Sequence, residues 1–217
     1  MWSPRGEGTP MLSDARNQLK TEQIIRNRLW RHSIAIGDEA GIQSNAGALV
    51  SALVQGLPER QGVMLHPYAV LPEGAIDRSF YREIESAECP RRPLAGRVFG
   101  VDEEEWRSEP MAFALTGKGL IGDYTDRFWG GDRLAIFLTP LEPLDFFEAL
   151  HDFPVYRREG GQMVYAPYWY PASFEKYLVQ SDSRVTDRIF DRVGYYIVES
   201  DGGRAVRVYC RGSEPRI

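Results

Sequence analysis

The side chains in this chain that could carry chemistry are three histidines, two cysteines and a few acidic pairs. His32, His66 and His151 are far apart, and none belongs to an HxH or HExxH array. A metal site needs ligands gathered at short, defined spacing, so the expectation is no metal and no cofactor. Cys89 precedes a proline and Cys210 lies in a β-rich run near the end. Neither opens a helix, where a thiolate is commonly activated, and neither belongs to a CxxC pair; both read as reduced thiols. Asp123 and Asp126 stand three apart in a glycine-rich stretch, with Glu142 and Asp145 further on. Such carboxylates could serve as acid and base, but a chain with 31 acidic residues forms pairs by chance, and solvated charge is their default. If the chain is an enzyme, the reading is a small hydrolase or nuclease built from Asp123, Asp126 and His151. The run Gly117-Lys118-Gly119 suggests a phosphate loop. That loop requires Ser or Thr after the lysine, and here Gly119 follows. The serine-elbow pattern GxSxG does not occur. No catalytic constellation stands out, and the expectation is a protein that is not an enzyme.

Positioning any site falls to a chain of 217 residues with 43% hydrophobic and 26% charged residues and a net charge of −5. That length suits one large domain or two small lobes and can bury a core without disulfides. The acidic balance argues against nucleic acid as a partner. The start, MWSPRGEGTPMLSD, has no apolar leader core, and no apolar run approaches the roughly 18 residues of a membrane span. The expected setting is cytoplasmic, with no membrane partner.

Residues 1–12 are rich in Gly, Pro and charge and read as a flexible tail. Residues 13–62 read as a helical segment. Ser13 or Asp14 could cap a first helix, with Leu19, Ile24, Ile25, Leu29 and Trp30 at roughly helical spacing. Arg16, Lys20, Arg26, Arg28 and Arg31 fall between them, as a solvated face or a partner-docking arm. A second helix is expected over Asn45–Gln55, capped by Asn45. Residues 63–210 read as an α+β domain: a mixed or antiparallel sheet flanked by helices, with a small helical C-terminal lobe closed by a β-hairpin.

Within that domain Val63–Leu71 reads as a central strand, with Pro67 as its awkward member. Asp77–Ser86 reads as a short helix, Ala87–Gly100 as a loop with a strand at Arg97–Phe99, Met111–Leu115 as a buried run, and Gly117–Gly131 as a glycine-rich connection. Leu134–Leu138 is a strand pattern. Thr139-Pro140-Leu141-Glu142 reads as a capped helix start, with Leu141, Leu144, Phe147 and Leu150 on its apolar face. Phe153–Tyr156 and Met163–Tyr165 read as a hairpin, Pro171 and Ser181 or Asp182 as starts of two helices, and Tyr195–Glu199 with Arg204–Cys210 as a hairpin turning on Asp201-Gly202-Gly203. Residues 211–217 read as a loose tail. The surplus aromatics stand out: Phe128 and Trp129 beside two glycines, and Tyr168-Trp169-Tyr170 before Pro171. Aromatics dominate interface hot spots, so these five are the candidate partner-binding residues, although core burial is the better expectation for Phe128 and Trp129.

The order of features over about residues 63–209 resembles the bacterial "domain of unknown function 4123" proteins, described as effector chaperones or adaptors of the type VI secretion system. Pro67-Tyr68-Ala69-Val70-Leu71 is similar to that family's opening strand, with Pro72 at an acidic position. Glu109–Leu115 is a looser match to the second strand, and Leu134–Leu138 and Leu141–Leu150 match the next strand and helix. Tyr168-Trp169-Tyr170-Pro171 resembles the Tyr-Tyr-Asp-Pro step, with Pro167 in place of Arg and Tyr170 in place of Asp. Ile189–Val193 and Tyr196–Gly203 match the closing part. The resemblance implies a cytoplasmic, non-enzymatic adaptor that binds a toxin effector and hands it to a VgrG-type spike protein. With Pro167 and Tyr170 replacing a charged pair, the Tyr168–Pro171 step is expected to be packed structure.

Overall fold

The structure is a computed structural model. It describes residues 19–24, 28–36, 42–57, 59–60, 62–94, 110–117, 119–153, 155–157, 163–165 and 168–212. Its centre is an open, eight-stranded, wholly antiparallel sheet in the order β1-β2-β12-β11-β8-β5-β7-β6. The strands are β1 (Leu19–Ile24), β2 (Leu29–Ala35), β5 (His66–Leu71), β6 (Arg91–Pro93), β7 (Met111–Ala114), β8 (Ala135–Thr139), β11 (Tyr195–Ser200) and β12 (Ala205–Arg211). Two small ladders, β3 (Glu59–Arg60) with β4 (Val63–Met64) and β9 (Val155–Arg157) with β10 (Met163–Tyr165), stand apart from it. Among the described residues there are six helices: α1 (Ile42–Gly56), α2 (Arg78–Ser86), α3 (Leu120–Phe128), α4 (Pro143–Leu150), α5 (Pro171–Gln180) and α6 (Ser183–Phe190). The expected α+β architecture is present.

Strand side chains alternate between two cores, as the period of two requires. Ala69, Met111, Phe113, Ile136, Ile197, Val206 and Val208 face one core, shared with α1, α2 and α3. Tyr68, Val70, Ala112, Phe137, Tyr196, Val198 and Tyr209 face the other, shared with α4, α5 and α6. A sheet covered on both faces explains why its inner strands read as unbroken apolar runs.

Several local expectations hold, among them the short helix expected over Asp77–Ser86, the helix starts at Pro171 and Asp182 and the final glycine turn. Asp77 caps α2, accepting from the backbone N–H of Ser79 and Phe80 at 2.8 and 2.9 Å. Asp182 caps α6 through Arg184 and Val185, and Pro171 occupies the first turn of α5. The final hairpin turns through Asp201, Gly202 and Gly203, all at positive φ. It lies in the middle of the sheet, and α5 and α6 pack on it through Phe174, Leu178, Ile189 and Phe190. The turn between the two strands of the expected hairpin at Phe153–Tyr165 and the strand expected at Arg97–Phe99 lie largely or wholly outside the described residues, as do residues 1–12 and 213–217.

Five expectations are corrected. Residues 19–24 and 29–35 form the antiparallel β1–β2 pair where a helix was expected. Leu29, His32 and Ile34 are buried with β2 hydrogen-bonded to β12, and pairing with a long neighbour outweighs a loose helical periodicity. Strands β1 and β2 and helix α1 thereby share the sheet and core of the described residues between 63 and 210. The second helix begins at Ile42, upstream of its expected cap Asn45. The glycine-rich connection contains α3, and Tyr124, Thr125 and Phe128 are buried along it. Gly122 weakens that helix intrinsically, by about 1 kcal/mol relative to Ala; packing against α1 offsets this, with Asp126 accepting from Gly47 N–H at 3.0 Å. Finally, α4 starts at Pro143, not Pro140, and Thr139 ends β8. The Thr139 hydroxyl donates to the carbonyl of Arg192 and accepts from Leu141 N–H. The buried face of α4 is therefore Phe146, Phe147, Ala149 and Leu150, while Leu144 is 73% exposed. Arg91–Pro93, expected as loop, is edge strand β6.

Candidate functional site

The five expected contact residues divide by burial. Phe128 and Trp129 are buried, Tyr168 is buried, and Trp169 is half-buried against it, ring edge to face at 4.9 Å. Only Tyr170 is exposed, and its hydroxyl donates to Glu73. Tyr168 meets Phe153 and Phe174 edge-on at 6.2 and 6.4 Å. The Tyr168–Pro171 step is thus mostly packing, and in this conformation Phe128, Trp129 and Tyr168 are withdrawn from any contact surface. Trp129 has a structural role of its own: its indole N–H donates to the carbonyl of Gly203 at 3.0 Å, pinning the turn after α3 to the turn between β11 and β12. A side chain at Gly203 would be strained, because its φ is +85° and a Cβ would press on that indole nitrogen at 3.0 Å.

The acid–base candidates are not brought together. Asp123 and Asp126 lie on α3 against one face of the sheet, and His151 caps the C-terminus of α4 on the other. His66, at the start of β5, lies 3.9 Å from Glu142. Cys89 and Cys210 are buried, and neither is in a disulfide. Among the described residues no group of three or more His, Cys, Asp or Glu side chains converges to hold a metal, and no helix is long and apolar enough to cross a membrane.

What the fold does assemble is one row of side chains running across the sheet. The registers align Glu22, Arg31, Tyr209, Tyr196, Phe137 and Tyr68 on β1, β2, β12, β11, β8 and β5, on the α4–α6 face. At the β5–β8 end the row is aromatic and dry. At the β1–β2–β12 end it becomes charged and half-exposed. Tyr209 donates to Glu175 of α5 at 2.5 Å, and Arg207 donates to the same carboxylate at 2.9 Å and to both oxygens of Asp201 at 3.1 Å. Arg31 is paired with Glu22 and bonded to Tyr209. Burial opposes the charge of Arg31 and of Arg207, but their acidic and tyrosine partners overcome it, so both remain firmly cationic. Burial, and then Glu175, push the Tyr209 phenol well above its ordinary range, which keeps it a proton donor at neutral pH. Charges therefore alternate across a rigid surface: Glu22, Arg31, Glu175, Arg207, Asp201. Further along β12, Arg211 pairs with Asp187 and Asp191 of α6 at 2.7 and 3.4 Å, beside a polar cavity of about 480 Å³ that Gln23 and Arg28 also line.

A separate acidic group sits on the opposite face. Glu199, 2% exposed, accepts from the backbone N–H of Asp132 at 3.2 Å and from those of Gly130 and Gly131. Burial raises its carboxyl above the usual range despite those bonds, and its second oxygen has no hydrogen-bond partner. Sequence reasoning missed both groups. The alternation Val206, Val208, Cys210 against Arg207, Tyr209, Arg211 was a visible signal for the charged row. Nothing in the sequence marked Glu199, which reads as an ordinary acidic strand end.

Comparison with protein-family models, with curated proteins and with solved structures gave no match to this chain.

Proposed function

We propose that this chain is a non-enzymatic cytoplasmic chaperone or adaptor that binds a toxin effector of the type VI secretion system and helps load it onto a VgrG-type spike. The observation that carries the reading is the charged half of the cross-sheet row. Five ionised side chains of alternating sign are held in place by one another and by Tyr209, and all but the tyrosine reach solvent. Such a pre-ordered surface loses little side-chain entropy on meeting a partner of complementary charge, and charge complementarity sets specificity and encounter rate. Exposed Tyr170 offers an aromatic contact on the same face of the sheet, at the head of α5. The resemblance in element order over residues 63–209 supplies the biological setting.

The test is co-expression with candidate type VI toxin effectors from the same genome, followed by affinity purification and a secretion assay in a strain lacking this protein. A stable complex is expected, with toxin export lost in the deletion strain. The complex should weaken as salt rises to about 0.5 M, because the Debye length then falls well below its physiological value of about 8 Å. No complex together with unchanged export would overturn the proposal.

A further inference from the structure

The two edges of the sheet are built differently. Edge strand β6 is three residues long, two of them arginines, and ends in Pro93, which has no N–H to offer. Short length, cationic side chains and proline are the usual means of blunting a sheet edge. Edge strand β1 has six residues, every one paired in unbroken register with β2 and without a bulge, and contains no proline. Its outer backbone groups form a row about 20 Å long, and among the described residues no strand pairs with them.

We infer that β1 is a self-association edge, joined antiparallel to β1 of a second copy of this chain across a twofold axis at Thr21. The side-chain order selects both the occupant and the register. Two identical antiparallel edge strands in one continuous sheet are related by a twofold perpendicular to it, so the residue on the axis lies opposite itself. With the axis at Thr21, Lys20 of each copy lies opposite Glu22 of the other, giving two opposite-charge cross-strand pairs on the α4–α6 face. Moving the axis to Lys20 or to Glu22 places like charges face to face, and directly opposed like charges are destabilising. Both side chains are exposed and available. Glu22 already leans on Arg31, so in the pair each carboxylate sits between a guanidinium of its own copy and the ammonium of the other. The result is a continuous sixteen-stranded sheet in which the two charged rows meet at the centre. This inference does not depend on the adaptor reading.

Sedimentation equilibrium of the full chain, up to about 1 mM, tests it without any partner protein. A monomer–dimer equilibrium is expected. Lys20→Glu turns both attractive pairs repulsive and should weaken association roughly tenfold or more. The double variant Lys20→Glu, Glu22→Lys restores opposite charges across the axis and should recover at least part of that loss, with thermal melts confirming that each variant folds. A wild-type chain that stays monomeric throughout, a dimer indifferent to Lys20→Glu, or a double variant no better than the single one would each overturn the inference.

Discussion

The two ends of the cross-sheet row occupy one face of one sheet, in one register, yet they hold by different physics. At the β8 end Phe137 meets the rings of Tyr196, Phe146, Phe174 and Phe153 at 4.8, 5.7, 6.1 and 6.4 Å. It is fully buried under α4 and α5. These contacts are non-directional and their strength comes from area removed from water. At the β12 end the same row carries Tyr209 and Arg31, and α5 presents Glu175 instead of an aromatic ring. There the contacts are directional and partly solvated, so each contributes less to stability but fixes geometry. The lesson is a division of labour: the aromatic half supplies stability, and the charged half presents an ordered surface. Tyr196 lies at the junction. It is fully buried, its hydroxyl oxygen has no hydrogen-bond partner, and burial first, with nearby Glu175, drives its phenol well above the ordinary range.

The largest effect that would sharpen this contrast is expected from Phe137→Ala. Removing the ring at the centre of four others should cost about 3–5 kcal/mol, read as a lower denaturation midpoint. A loss below about 1 kcal/mol would place the stabilising core elsewhere. Glu175→Ala comes next. It removes the acceptor that Arg207 and Tyr209 share, leaving Arg207 with Asp201 and Tyr209 with Arg31, and loss of hydrogen bonds to a charged, mostly buried acceptor should cost about 1–3 kcal/mol. If it cost as much as Phe137→Ala, the division between the two halves would fail.

Two tyrosine-to-phenylalanine changes, one strand apart, probe the junction. Tyr209→Phe removes a hydroxyl bonded to Glu175 and Arg31 and should cost about 1 kcal/mol. Tyr196→Phe removes a buried hydroxyl without a partner and should be neutral or stabilising. Equal losses in urea titrations would mean that the Tyr196 hydroxyl has a partner after all.

The smallest effect concerns the carboxylate on the opposite face. Among the described residues Glu199 has backbone donors but no ion-pair partner, whereas Glu175 has Arg207. Because folding raises the Glu199 carboxyl, the folded chain binds its proton more tightly than the unfolded chain, where the value is about 4.3. Its contribution is fully present below that unfolded value and is lost as pH rises through the raised folded one. Glu199→Gln should remove that part of the slope in denaturation curves measured across the acidic range. An unchanged slope would show that another group carries it.

The legible parts of the fold were those whose signals are local. The short helix after Asp77, the cap at Asp182, the proline start of α5 and the glycine turn between β11 and β12 each follow from backbone donors and φ angles within a few residues. The face of α4 was misread because Pro140 and Pro143 both suit a helix start. The choice of Pro143 turns Leu144 outward and Phe146 inward. The glycines around α3 masked a helix whose support comes from α1, nearly eighty residues earlier. The first hairpin was missed for a related reason: β2 is held by β12, at the far end of the chain.

By itself, then, the sequence determined an α+β chain with a mixed or antiparallel sheet and a mostly packed aromatic step at Tyr168–Pro171, and it carried, unread, the alternation on β12 that puts arginines and a tyrosine opposite valines. Those follow from side-chain period and backbone sterics. Only the tertiary structure decided that Glu22, Arg31, Tyr209, Glu175 and Arg207 share one surface, and that β1 rather than β6 forms the open edge. Strand order and register across nearly two hundred residues depend on which faces can be buried together, and no local pattern encodes that choice.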